Sequence, residues 1–395
     1  MSTTARRARF TDTLVFGILG VLFGTWAVRI PAISATLDLS SGDIAVALVG
    51  LACGSLVGLP LSGILVSRFG SRNVIRAGLC IYCLSLPLVA LSSGLAMLVG
   101  LLFLFGFGKG LIDVAANTQG VRIETAYSGQ IMGSIHAMFS GGGLVGSGLG
   151  AVATDIGLSV ESHFAIVSVT SLTIGLLTSR WLLPTDGPIG ATTGTGRTFA
   201  LPSRKLAGFC VIGFSALFIE GVVNDWSAVF LEDYTGASAS IAALGFAAFS
   251  LMMMVGRFSA DHVVELVGSH RFIRIAAGVA AIGVALTLIA QTALSIVGFG
   301  LLGIGLAGIM PVTFSLAANA DPETPTESAV AAVSTAGYGG FAVGPVAIGS
   351  IAEATTLRLA FVSAFALTIL IALLTVVPTV SNTTYGDEST AQVSD

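Results

Sequence analysis

Three polar residues fall four apart inside an otherwise apolar stretch, LFLFGFGKGLIDVAANTQGVRIE (102–124): Lys109, Asp113 and Asn117. On an α-helix that spacing puts amine, carboxylate and amide on one stripe. The stretch is long enough to cross a bilayer, where an ionisable group costs roughly 2.5–3.5 kcal/mol and usually faces a water-filled or substrate-lined cavity. The chemistry on offer is proton exchange at Asp113 and binding of a polar solute by Lys109 and Asn117. A Lys109–Asp113 pair that only packs the helix against a neighbour is the plain alternative.

Other polar residues sit at similar depth. Glu220 and Asn224 are one turn apart in a later apolar stretch, with Glu220 near mid-membrane. Burial of a carboxylate disfavours its charge, which a carrier that takes up and releases a proton near neutral pH requires, so Glu220 is the second proton-site candidate. A protonated acid bonded to a neighbouring helix is the alternative. Asp225 is about 140° round from Glu220 and is read either as a binding residue or as a solvated rim residue. Arg29 lies 17 residues into the first apolar stretch, roughly 25 Å along a helix. Trp26 is one turn away, and Pro31 bends the chain just beyond. An arginine beside an aromatic ring suits a hydroxylated or anionic ligand, whereas a snorkelling arginine binds nothing. His136 is a candidate cavity residue, with simple packing as its rival.

The elements that must position these residues follow from composition. With 54% hydrophobic and 10% charged residues, and a mean hydropathy of +0.95, the chain is a polytopic membrane protein. Twelve windows of spanning length are expected, at 12–36, 43–67, 73–93, 95–122, 131–154, 161–183, 206–231, 240–261, 271–290, 293–317, 328–352 and 356–379. The Gly/Thr/Pro-rich segment 184–204 reads as a linker between two six-helix halves, 1–183 and 205–380, followed by a polar tail, 381–395. Arg6, Arg7, Arg9, Arg68, Arg72, Arg76, Arg122, Arg180, Arg197, Arg204, Lys205, Arg257, Arg271 and Arg274 share alternate loops or helix ends, and Arg358 lies opposite. Both termini, the linker and the tail are therefore expected in the cytoplasm, and the protein in the cell membrane.

Several function classes lose support at this stage. The Cys80–Cys83 pair lacks the further ligands of a zinc site, Gly108–Lys109–Gly110 lies inside an apolar span where no phosphate loop forms, and catalytic motifs are absent. The expectation is no enzyme, no cofactor, no metal and no nucleic acid, with a monomer working in the lipid bilayer. Gly142, Gly146 and Gly150, spaced at four, read as a close helix contact.

The halves match at an offset of about 200 residues: Trp26 with Trp226, Gly50 with Gly245, Gly70 and Arg76 with Gly268 and Arg274, and Gly146–Asp155 with Gly344–Glu353. Six-helix repeats related by an axis along the membrane normal are the major facilitator pattern. The loops GILVSRFGSRNVIRAG and GRFSADHVVELVGSHRFIRIAAG also resemble that superfamily's signature. The resemblance implies an all-α fold of twelve transmembrane helices and a cytoplasmic latch of Gly63, Arg68, Gly70 and Arg72 in the first half, with Gly256, Arg257 and Asp261 in the second. Ser67 replaces the usual acid. GKGLIDVAANTQG resembles the fourth helix of the fucose-permease branch, and IEGVVNDWSAVFLEDYTG and GYGGFAVGPVAIG resemble uncharacterised bacterial relatives. That branch's first-helix aspartate is expected to lack a counterpart, Arg29 being taken as the nearest polar residue. The resemblance implies secondary active transport of a small polar solute, a sugar or polyol, coupled to protons by alternating access. Asp113 and Glu220 would titrate, and Trp26, Arg29, Lys109, Asn117, His136, Asn224, Asp225 and Trp226 would bind solute. Proton-antiport efflux of drugs or metabolites and a non-transporting sensor are the alternatives.

Overall fold

The computed structural model describes residues 3–127, 131–184, 204–320, 324 and 326–375, and these contain helices and no strand. The linker and tail expected at 184–204 and 381–395 lie almost wholly outside them. The helices are α1 (Thr3–Ala27), α2 (Ile30–Leu37), α3 (Ser41–Phe69), α4 (Ser71–Ala90), α5 (Leu95–Tyr127), α6 (Met132–Asp155), α7 (Val160–Ser179), α8 (Arg204–Thr235), α9 (Ala239–Val267), α10 (Ser269–Leu288), α11 (Thr292–Leu306), α12 (Ile309–Ala318), α13 (Thr326–Ala354) and α14 (Leu357–Leu374).

Eleven segments are long and apolar enough to cross a membrane, one of them comprising α11 and α12. Helix α13, 29 residues long, runs beside α8 and α3 and completes twelve crossings. Two crossings are broken for a local reason. A proline near the start of α2, Pro31, cannot donate a backbone N–H, and the break falls at Val28–Arg29 with Arg29 as N-cap. Pro311 stands at the same place in α12, behind a break at Ala307–Gly308.

The α3–α4 and α9–α10 connections share one solution. Gly70 and Gly268, with φ of 80° and 81°, each end one helix and begin the next, a backbone conformation that a Cβ would strain. Arg76 Nε donates to Ser179 Oγ at 2.8 Å, and Arg274 Nη2 donates to the Thr375 carbonyl at 2.9 Å. Each arginine ties the helix after its turn to the last helix of its group. These features mark the N-terminal face of the bundle, where α1 begins and α14 ends.

Helices α1–α7 pack mainly on one another, as do α8–α14, and the groups meet chiefly through α6 against α9 and α3 against α13. Glycine sets the intimacy of the packing: a Cβ at Gly54 would collide with the Phe103 carbonyl, and one at Gly142 with that of Gly17. Such contact lets dispersion act between backbones where lipid supplies no hydrophobic drive. At the far face the groups are clamped, because Glu353 at the end of α13 accepts from the Gly42 backbone N–H at the start of α3, at 2.9 Å. Gly349 lies against Ala45 and Trp226 one turn deeper. Towards the N-terminal face, a cavity of about 460 Å³ opens, lined by Leu59 of α3, Asp113, Asn117 and Val121 of α5, and Tyr338 of α13.

Candidate functional site

Two of the three residues of the predicted stripe on α5 look into this cavity, and Lys109 is not among its lining residues. Asp113 and Asn117 line its wall. Lys109 makes no ion pair with Asp113; Asn117 instead turns its amide onto that carboxylate, with Nδ2 at 2.9 Å from Asp113 Oδ1 and 2.8 Å from the Asp113 carbonyl. The amide oxygen of Asn117 then meets His136 Nε2 of α6 at 3.0 Å. A backbone carbonyl only accepts, so the amide nitrogen faces Asp113 and the Asn117 oxygen accepts from His136, which puts a proton on Nε2. Phe16 of α1 packs edge-on against the imidazole at 4.8 Å between centroids.

The polar chain then crosses between the helix groups. Arg257 of α9 donates through Nη1 to the His136 carbonyl at 3.3 Å and to Ser140 Oγ at 3.1 Å. Its Nη2 lies 3.6 Å from Glu220 Oε1 on α8, with both side chains mostly buried. Arg257 was expected in the loop latch; it reaches inward because it sits ten residues before the end of α9 and a carboxylate in a low-dielectric seam needs a partner.

The remaining latch residues behave separately. Ser67 bonds its own helix at the Ile64 carbonyl, Arg68 is exposed, nothing lies near Gly63, and Gly256 packs on Ala307. Arg72 donates to the Leu182 carbonyl at the end of the first group. The side chain of Asp261 is outside the described residues.

Five predicted solute ligands stand apart from the cavity wall. Arg29 is buried at the far end, where Nε donates to His163 Nδ1 at 3.3 Å and Nη2 to the Leu158 carbonyl at 3.1 Å. Trp26 is buried among Ile30, Leu48 and Leu98. Trp226 donates to the Pro345 carbonyl at 3.0 Å and so pins α8 to α13. Asp225 is buried, with Oδ1 lacking a partner; Asn224 beside it is buried too, and neither is a solvated rim residue.

Three residues escaped the sequence reading. Tyr338 faces Asp113 across the cavity; its signal was the polar ring within the GYGG run. Ser140 joins the Arg257 contact one turn after His136. Asp12 is fully buried on α1 and neither of its oxygens has a hydrogen-bond partner, with Gly120 of α5 and Met132 of α6 beside it. The first helix therefore does carry a buried acid, contrary to expectation.

Twelve crossings in two groups of similar construction, joined at one face and flanking a polar seam, are the architecture of the major facilitator fold. The sequence profile of the Major Facilitator Superfamily matches residues 13–231 and again 208–392, and the chain belongs to that superfamily. It is 32% identical to an uncharacterised MFS-type transporter of Yersinia pestis, over 88% of this chain and 90% of that protein. It is 35% identical to an uncharacterised transporter of Sinorhizobium fredii, over 88% and 91%. Membrane protein MosC of Rhizobium meliloti is 30% identical over 90% and 86%. Among solved structures the fold is similar to the nucleoside transporter NupG, with a TM-score of 0.73 at 14% identity over 95% of this chain and 98% of that one. It is also similar to a bacterial homologue of the lysosomal transporter Spinster in an inward-facing, occupied conformation, with a TM-score of 0.70 at 14% identity over 95% and 97%.

Proposed function

We propose that this major facilitator transporter moves a small polar solute, a sugar or polyol, together with protons by alternating access. The observation that carries the reading is the polar chain Asp113–Asn117–His136, continued by Arg257 and Glu220 into the other helix group beside the cavity. Asp113 is the protonation site. When it gains a proton it becomes a donor and a weaker acceptor for the Asn117 amide, which loosens the hold on Asn117 and through it on His136. The same helix then feels the change at the His136 carbonyl and Ser140, where Arg257 holds the two groups together. A carboxylate that is neutralised only on loading allows the loaded carrier to reorient through a low-dielectric barrier. Glu220, held by Arg257, is the second titrating group in this reading.

The test is solute-dependent proton flux in proteoliposomes containing a pH-sensitive dye: acidification of the lumen when solute is added outside supports symport, and alkalinisation of the lumen would mean antiport. The halves 1–183 and 205–380 rock about the central seam, with the linker 184–204, the tail 381–395 and both termini in the cytoplasm and the chain acting as a monomer in the cell membrane. A cysteine at Gly190 should resist membrane-impermeant labelling of intact cells while one at Thr356 reacts, and the reverse pattern would invert the topology.

A further inference from the structure

We infer that the solute is an acid, a sugar or polyol bearing one carboxylate, and that Lys109 is its counter-cation; this rests on the transport reading above. Lys109 Nζ lies 6.0 Å from the Phe139 ring of α6 and 5.9 Å from the Phe341 ring of α13, so it stands at the seam with one ring from each helix group. It is one turn deeper than Asp113 on α5, just beyond the residues that line the cavity. Among the described residues no carboxylate lies within 4.0 Å of it: Asp113 is taken by Asn117 and Glu220 by Arg257. The buried Asp225 acts on Lys109 only from beyond ion-pair distance.

An ammonium has three donors and a full charge. Two rings at about 6 Å are at the limit of a useful cation–π contact and do not replace a counter-ion at membrane depth. The hydroxyls of a neutral sugar would leave that charge with only Asp225, beyond ion-pair distance, to answer it, whereas a carboxylate in direct contact would cancel it. A phosphate asks for more positive charge than one lysine offers, and the nearby Arg257 is already engaged.

Charge counting then gives a physical basis for coupling. Let the empty carrier with Asp113 ionised be the reference. Binding the proton alone adds one positive charge and binding the acid alone adds one negative charge, whereas binding both restores the reference charge, whatever charge Asp225 carries throughout. The empty and doubly loaded forms therefore cross the apolar barrier with the same charge, and each singly loaded form carries one unit more or less. Such an excess charge is expensive in a low-dielectric seam, so leak is suppressed without a dedicated gate.

The experiment is ligand-induced thermal stabilisation of the purified protein by matched pairs: galactose with galacturonate, glucitol with gluconate, and glucose with glucose 6-phosphate as the phosphate arm. At least one carboxylate should act at a concentration tenfold or more below its neutral partner. Lys109→Gln should erase that preference, and Lys109→Arg, which keeps the charge, should retain it. Equal response to neutral and acidic members, a response to the phosphate alone, no response to any acid, or an undiminished preference in Lys109→Gln would each overturn the proposal. The wild-type panel decides even if Lys109→Gln does not fold. Proton-coupled uptake of a neutral sugar would leave the transport reading standing while this inference fails. An acid that binds through Lys109 but is never moved in proteoliposomes would instead defeat the transport reading.

Discussion

Arg29 and Arg257 are both arginines enclosed by apolar helices, yet they do opposite work. Arg29 makes its hydrogen bonds inside its own helix group, to His163 and the Leu158 carbonyl, and so fastens the α1–α2 break to α7, while Glu232 of α8 acts on it only from beyond ion-pair distance. Arg257 finds its partners in two elements that belong to different groups, α6 and α8. Under the proposed rocking of one group against the other, the first set of bonds would survive and the second would have to be remade. On that proposal, what separates a structural from a functional arginine is neither burial nor residue type but whether its hydrogen-bond partners move together.

The comparison breaks most visibly at Arg257. Arg257→Leu removes the bridge and leaves Glu220 without its cation, and the transport rate in proteoliposomes should fall at least tenfold while the detergent-purified protein stays folded. If Glu220→Gln in the same background restores part of that loss, the uncompensated carboxylate is the cause. The far-face clamp should respond next. Glu353→Ala deletes one hydrogen bond between the groups, worth about 1 kcal/mol, so labelling of a far-face cysteine at Gly42 should quicken by roughly fivefold. Unchanged labelling would mean that this contact does not limit opening. Arg29→Leu should affect transport least, with a rate within about twofold of wild type. The loss of two hydrogen bonds should appear instead as a lower melting temperature, the expected cost being about 1–3 kcal/mol for the acceptors left behind. A tenfold loss of transport in Arg29→Leu at unchanged stability would return Arg29 to the list of solute ligands.

Much of the architecture was legible from residue order alone. Twelve apolar windows, the turns at Gly70 and Gly268, and the bend before Pro31 follow from hydropathy and from the backbone properties of glycine and proline. The α5 stripe was equally plain, since a spacing of four fixes three side chains on one face. Two things were not accessible to such reasoning. Whether Asp113 would pair with Lys109 or Asn117 depends on side-chain direction relative to α6, because His136 draws the Asn117 oxygen and so presents the amide to the carboxylate. The pairing of Arg257 with Glu220 joins residues 37 apart in the chain and depends on which faces of α8 and α9 meet the seam. Asp12 illustrates a third failure: the expectation that the first helix lacks an acid passed over it, because its burial depends on α1 beginning at Thr3 and packing that turn against its neighbours.

The central claim, that Asp113 couples proton to solute, is tested most directly by proteoliposomes of Asp113→Asn loaded with a pH-sensitive dye and given solute on one side. Asparagine keeps the shape and can still bond Asn117 but cannot exchange a proton, so solute exchange down its own gradient should persist while solute-dependent proton flux and pH-driven accumulation vanish. Proton flux of wild-type size in Asp113→Asn would contradict the account and pass the coupling role to Glu220.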